Sequence, residues 1–220
     1  MVSILFEAKK WYESLKIDKI VKALKRNGFE VFYFPVKEDA VSKVLDIIPS
    51  DALVGLGGSV TLREIGLPES LRDRGNRLAD HWEARQRGAS AEEILKIRRL
   101  QLNSDVFITS TNAITETGKL VNTDGTGQRV AAMIFGPKRV IVIAGINKIV
   151  SNLDEGLERV NNIAAPMNAK RLNRNPPCTI TGVCNDCDSK ERGCNVTSII
   201  HRKPANTNIT VILVGNNLGY

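Results

Sequence analysis

The sequence predicts an α/β protein, a three-layer arrangement with a mostly parallel sheet and helices on both faces. Three observations carry that expectation. Strand-like and helix-like runs alternate through the first half of the chain, the pattern of a parallel sheet with helical crossovers. Two short runs, 52–56 and 140–144, are almost wholly apolar, as strands buried on both faces are. The first of them runs straight into Gly57-Gly58-Ser59, a glycine-rich turn at a strand's carboxyl end.

Taken in order, residues 4–27 read as a helix, because Ile17, Ile20, Val21 and Leu24 recur at helical spacing among lysines and Asn27-Gly28 supplies a stop. A strand follows at 31–36, rich in aromatic and β-branched residues. A second helix places Ala40, Val41, Val44, Leu45 and Ile48 on one face, and Pro49 ends it. From 60 to 104 the pattern is helical and charged, broken at Gly66-Leu67-Pro68 and Gly88-Ala89-Ser90; Ser90 with Glu93 forms a capping box. Runs at 106–110, 119–122, 129–135 and 140–144 read as strands, and the antiparallel-looking stretch 106–135 is expected at one sheet edge. A helix at 153–165 should stop before Pro166. A polar, cysteine-bearing loop at 171–195 then leads to strands at 196–201 and 209–214. No repeat or low-complexity linker interrupts the 220 residues, so one domain is the economical organisation.

The composition excludes several classes of function. Hydrophobic residues make up 42% and charged residues 25%, ordinary for a globular protein, and no run approaches the roughly 20 apolar residues of a membrane span. The N-terminal apolar run, residues 2–6, is too short for a signal-peptide core, so the expected location is the cytoplasm. The net charge of +7 favours anions. Its densest stretches, 72–77, 85–87 and 96–99, alternate with Asp73, Asp80, Glu83, Glu92 and Glu93 and read as ion-paired, solvated helix faces. With 5% aromatics and none interleaved with basic residues, the stacking platform of a single-strand nucleic-acid binder is missing.

Three clusters carry candidate chemistry. The first is Gly55, Gly57, Gly58, Ser59 and Thr61, where glycines let backbone approach a ligand and a helix start offers N–H donors to an anion. It is neither a Walker loop nor a clean dinucleotide fingerprint, and a plain tight turn with Ser59 as N-cap is the simpler alternative. The second lies in two polar turns, with Ser110 and Asn112 in one and Asn122, Asp124, Gly125, Gly127 and Arg129 in or after the other. In an open α/β sheet these should meet the glycine turn beyond the strand ends. Arg129 could clamp a carboxylate or phosphate, and Glu116 is the carboxylate to consider for nucleophilic or acid–base work. Hairpin turns chosen for geometry alone remain the alternative.

The third cluster is Cys178, Cys184, Cys187 and Cys194, spaced C-x5-C-x2-C-x6-C within seventeen residues. Four thiols can ligate tetrahedral zinc or an iron–sulfur cluster, and a metal-free redox loop stays open. Nearby Arg171, Arg174, Lys190 and Arg192 should help keep the thiols deprotonated. His201 and His81 read as ordinary packed or exposed residues.

The string Asn112-Ala113-Ile114-Thr115-Glu116-Thr117-Gly118, followed by Val121-Asn122-Thr123-Asp124-Gly125-Thr126-Gly127-Gln128-Arg129, resembles the LUD-domain (lactate-utilization, LutC-like) family. So do Phe135-Gly136-Pro137-Lys138, Asn147-Lys148-Ile149-Val150, Ala164-Ala165-Pro166, Thr181-Gly182-Val183-Cys184-Asn185-Asp186-Cys187 and Val211-Ile212-Leu213-Val214-Gly215. The resemblance implies a NagB/RpiA/CoA-transferase-like fold and a part in oxidising L-lactate to pyruvate beside iron–sulfur redox proteins. In sugar-phosphate isomerases of that fold group a similar glycine turn binds phosphate. In its CoA-transferases a glutamate after a strand is the nucleophile, which Glu116 would match. The cysteine loop departs from the simplest LutC-like pattern. The expected partners are thus a small anionic metabolite, such redox proteins and no membrane, with a homo-oligomer left open. The alternatives are a non-catalytic sensor of a phosphorylated or CoA-linked metabolite and an acyl or CoA transferase using Glu116.

Overall fold

The structure is a computed structural model that describes the backbone of residues 2–220; the side chains of the apolar run at 2–6 and of Lys9 lie outside the described residues. Six strands form one parallel sheet: β1 (Glu30–Phe34), β2 (Leu53–Leu56), β3 (Arg77–Asp80), β4 (Val106–Thr109), β7 (Arg139–Gly145) and β10 (Asn208–Val214), in the spatial order β1-β10-β7-β4-β2-β3. Period-2 alternation divides their side chains between two cores. Val54, Leu56, Val106, Ile108, Ile141, Ile143, Ile212 and Val214 face α2 (Lys37–Ile47), α3 (Val60–Glu64) and α4 (Leu67–Asp73). Phe107, Val140, Val142, Val211 and Leu213 face the other way, against Ile20 and Leu24 of α1 (Val2–Arg26) and Ala132 and Met133 of α7 (Gln128–Ile134). Each large apolar side chain so buried contributes about 1.5–3 kcal/mol.

A second sheet of four strands, β5 (Ala113–Thr115), β6 (Leu120–Asp124), β8 (Ile149–Val150) and β9 (Val196–Ile200), is ordered β8-β5-β6-β9. Its Ile114, Leu120 and Ile200 join the α1–α7 core. The 106–135 stretch is therefore no sheet edge: β4 lies inside the main sheet between β7 and β2, and the antiparallel pair β5–β6 belongs to the second sheet.

Two further expectations change. The 129–135 run is the helix α7. Gly127 turns the chain at φ +80, and the Asp124 carboxylate accepts the Arg129 N–H at 2.8 Å, which starts a helix whatever the β-propensity of the sequence. The helix expected to end before Pro166 runs on instead. α8 (Leu153–Arg159) passes through one π-helical turn, Val160–Ala164, into α9 (Ala165–Arg171), with Pro166 in the first turn of α9 where its missing N–H is tolerated. α5 (His81–Gln86) and α6 (Ala91–Leu102), the latter with the expected Ser90–Glu93 capping box, complete the 60–104 stretch around β3. No helix of the described residues is long and apolar enough to cross a membrane.

The β5–β6 turn docks on the end of α1. The Asn27 side-chain amide donates to Thr117 O at 2.9 Å and to Gly118 O at 2.8 Å. Gly118 sits at φ +79, and a Cβ there would lie 2.7 Å from the Ala23 carbonyl carbon and 2.8 Å from Leu24 N. Gly118→Ala should therefore destabilise the protein by about 2–4 kcal/mol in urea unfolding, the sum of a left-handed backbone penalty and overpacking. A loss below about 1 kcal/mol would mean the small sheet is not seated on α1 as described.

Candidate functional site

All six parallel strands end on the same side, and a cavity of about 400 Å³ lies there. Its lining comes from the turn after β2 (Gly58, Ser59, Thr61), the start of α5 (His81, Trp82), the turn after β4 (Ser110, Thr111, Asn112), the end of β6 and start of α7, Lys148 after β7, and Tyr220. The loop after α9 brings all four cysteines to the same cavity.

Of the residues singled out from the sequence, the structure gathers Gly58, Ser59, Thr61, Ser110, Asn112, Asp124, Gly125, Arg129 and the four cysteines along this cavity. Gly55 and Gly57 serve packing. A Cβ on Gly55 would meet Ser104 Oγ at 2.7 Å and Gln101 Cα at 3.2 Å, so glycine lets α6 lie against the sheet; one on Gly57 would meet Thr109 Oγ1 at 2.7 Å. Neither has positive φ. Gly127 acts as the turn before α7. Glu116 is placed away from the cavity, on the α1 side, where its carboxylate pairs with Lys19 at 2.5 Å. Ser59 occupies the N-cap of α3 without a side-chain cap bond.

Arg129 is engaged within the protein. Its guanidinium donates to Asn122 Oδ1 at 2.6 Å, Asn112 Oδ1 at 3.1 Å and Thr123 O at 2.5 Å, and burial pushes its pKa down while Asp124 acts against the shift. Arg129 thereby knits the two polar turns together, and Asn122 is held behind the lining. The Asp124 carboxylate caps α7 through the N–H groups of Arg129 and Val130.

Lys148, which sequence reasoning passed over, is 3% exposed. Its ammonium or amine nitrogen donates to Thr61 Oγ1 at 3.1 Å and Ser110 Oγ at 3.0 Å. Burial, then the cations Arg159 and Arg129, push its pKa down to about 7, against a smaller pull from Glu64. Arg159 fixes the segment by donating to Asn147 O at 3.2 Å and Asn112 O at 2.7 Å. Asn147 in turn ties the chain at 218–219, accepting from Leu218 N at 3.0 Å and donating to Gly219 O at 3.1 Å.

His81 is likewise part of the cavity, where the sequence suggested an ordinary helix residue. Burial first, then Arg98, hold its pKa at about 4, so the ring is neutral near pH 7. Gln101 Nε2, which donates to Leu56 O and Ala79 O at 2.7 Å, lies 3.0 Å from His81 Nδ1. The other ring nitrogen, Nε2, faces Gly58. Trp82 lies under Arg63 and Arg171, whose guanidinium carbons are 5.0 and 4.4 Å from its ring centroid.

The charge balance is one-sided. Among the described residues Arg85, Arg98, Arg129, Lys148, Arg171, Arg174 and Arg192 line the cavity, seven basic side chains against the carboxylate of Asp124, although Arg192 also pairs with Asp186 at 3.2 Å. The sequence reading of 85–87 and 96–99 as ion-paired faces holds at Lys96–Glu92, but not at Arg85 and Arg98, which have no carboxylate within ion-pair distance among the described residues. Burial and then Arg85 depress the Arg98 pKa, with Arg174 adding to the effect.

The four cysteines are free and half-buried. The Cys178 thiol is pushed up by burial and by Cys187, Cys194 and Cys184, so the thiols are near enough to feel one another's charge; the expected lowering by basic neighbours does not reach Cys178. Cys184 Sγ accepts the Asp186 N–H at 3.4 Å, and Arg192 donates to Cys187 O at 2.6 Å and Cys194 O at 3.3 Å. Among the described residues no three His, Cys, Asp or Glu side chains are set to hold a single metal ion.

The Lys148 geometry gives a stability test. The unfolded chain binds the Lys148 proton up to its ordinary pKa of 10.5, the folded chain only below about 7. Stability from this group is therefore full above 10.5 and lost as pH falls to 7. Lys148→Met should be more stable than the parent at pH 6 by about 3–5 kcal/mol, with the gap closing towards pH 10.5. Equal pH dependence of the two proteins in urea unfolding would contradict the buried, cation-surrounded amine.

A family model described as LUD domain matches residues 17–214. The fold is similar to that in the crystal structure of a DUF162 family protein from Deinococcus radiodurans, with a TM-score of 0.51 and 14% identity over 92% of this chain and 98% of that one. Comparison with curated proteins finds no match.

Proposed function

The chain belongs to the LUD-domain family, and we propose that it is a component of organic-acid utilization that binds a small carboxylate in the cavity beyond the parallel strands. L-lactate and the pyruvate formed from it are the first ligands to consider. The observation that carries this reading is the surplus of basic side chains, seven against one carboxylate among the described residues, around a cavity of about 400 Å³. Bringing so many like charges together is unfavourable in an empty cavity and favourable around an anion. Serine and threonine hydroxyls and the neutral His81 ring add uncharged polar groups of the kind that orient a carboxylate.

The proposal extends to an iron–sulfur cluster on Cys178, Cys184, Cys187 and Cys194. The donor set suits it: four free thiols on one cavity, mutually close, one already accepting a backbone N–H as cluster sulfurs do. A tetrahedral zinc ion would require the thiols to converge on one point, whereas a polynuclear cluster takes one thiolate at each of several corners. Such a cluster would supply one-electron transfer beside the ligand. The protein's own residues bind and orient that ligand and set the protonation of Lys148.

A second reading is a sensor without turnover for a phosphorylated or CoA-linked metabolite, favoured by Arg85 and Arg98 lacking carboxylate partners. Acyl transfer through Glu116 gains nothing from the placement of that residue.

Protein purified without oxygen should contain iron and acid-labile sulfide, both lost when the four cysteines are changed to serine. L-lactate or pyruvate should raise its melting temperature, by the equivalent of about 2.7 kcal/mol at a hundred times the Kd. Stabilisation by phosphate or CoA alone would move the assignment to the sensor. No stabilisation by any of these anions, in protein carrying neither iron nor zinc, would overturn the proposal.

A further inference from the structure

We propose that Lys148 is a reactive amine, which condenses with the carbonyl of a 2-oxo acid to form an imine in the cavity. The inference rests on the reading of the cavity as a site for small organic anions and adds a covalent chemistry to it.

The geometry begins with the two hydroxyls that hold the nitrogen. Thr61 Oγ1 donates its proton to Leu218 O at 3.4 Å, and Ser110 Oγ donates to Thr111 O at 3.4 Å. Each hydroxyl therefore meets Lys148 as an acceptor, and Lys148 uses two N–H groups on them. One position on the nitrogen is left. In the ammonium form it is a third N–H, and in the neutral amine it is the lone pair. No carboxylate of the described residues pairs with this nitrogen, and it lines the cavity. A buried lysine serving only as a structural cation would be expected to have an acidic partner. This one has hydroxyls, a neighbouring pair of arginines and a place in the lining of the cavity. Desolvation with nearby cations is how lysine amines are activated for carbonyl substrates.

The chemistry balances without a further reactant. The amine lone pair adds to the carbonyl carbon, forming a C–N bond, while the carbonyl oxygen takes a proton to give a carbinolamine. Loss of that hydroxyl as water breaks the C–O bond and leaves C=N. The hydroxyls of Ser110 and Thr61 lie within 3.1 Å of the nitrogen and can relay the protons. Hydrolysis runs the same steps backwards. The carboxylate of the 2-oxo acid is matched by the cavity's cation surplus, so pyruvate and glyoxylate are suitable probes and a neutral aldehyde is a poor one.

The test is reductive trapping on the intact protein. Wild type is incubated with pyruvate or glyoxylate and cyanoborohydride, then digested and mapped by mass spectrometry. The expected result is a reduced adduct on Lys148 at least tenfold above any exposed lysine, suppressed by excess L-lactate, which competes but has no carbonyl. Labelling of Lys148 should also level off just above pH 7, while exposed lysines go on gaining reactivity past pH 9. Lys148→Arg and Lys148→Met should lose that adduct and keep the background on other lysines. Background labelling at Lys148 with both probes overturns the proposal. A melting-temperature rise with pyruvate, measured in parallel, separates the two failures. A rise without adduct leaves the anion site standing and removes the imine; neither rise nor adduct removes both.

Discussion

Everything at the site follows from the requirement that a parallel sheet be covered on both faces. β7 is the clearest case. It is hydrogen-bonded to β4 on one side and β10 on the other, and from Val140 to Gly145 every residue is buried. Helices α2, α3 and α4 occupy one face, and α1, α7 and the small sheet occupy the other. Polar chemistry can then be placed only beyond the strand ends, and the parallel arrangement brings all six carboxyl ends to one rim. Gly57, Ser110, Lys148 and Leu218 follow four of those strands within a few residues, so their meeting is a consequence of topology before it is one of side-chain attraction.

Within that rim, the buried charges divide into two kinds. Arg129 and Arg159 have acceptors for their guanidinium groups and act as ties between turns. Among the described residues Lys148, Arg85 and Arg98 have no carboxylate partner. Removing charge from the second kind relieves the folded state, while removing it from the first leaves buried oxygens without donors. A protein selected for stability alone would not keep Lys148 beside Arg129 and Arg159 in this way.

The main sheet was readable because its strands are continuous apolar runs bounded by glycine and proline. β3 was not: Arg77 and Asp80 flank only Leu78 and Ala79, and the strand exists because β2 offers it a parallel edge. α7 was misread for a different reason. Val130, Met133 and Ile134 suit a strand by composition, and the helix is decided by Gly127 and the Asp124 carboxylate. The dense Ser, Thr, Asn and Gly turns, one after β4 and one after β6, come together along the cavity. Lys148 was visible only as one basic residue between the apolar runs 140–144 and 149–150, a local oddity that a charge count hides. Glu116 attracted attention by following a strand, yet that strand belongs to the small sheet, whose turn is directed to α1.

The cysteine loop and the cationic cavity bear on one another. Thiols become ligands or nucleophiles only as thiolates, and a cluster of four would hold several negative charges in one place. Burial and its three neighbours push the Cys178 thiol up, towards the protonated form. Arg192 and Arg174 belong to the same loop, and Arg192 already grips the backbone at Cys187 and Cys194. Positive charge that repels itself around the cavity would be neutralised by thiolates bound to a cluster on one side and by an organic anion on the other. Each binding event would then relieve repulsion among the cavity's cations. On the proposed reading, loading of the thiols and occupancy of the anion site are one electrostatic problem, coupled through charges that the fold alone leaves unbalanced.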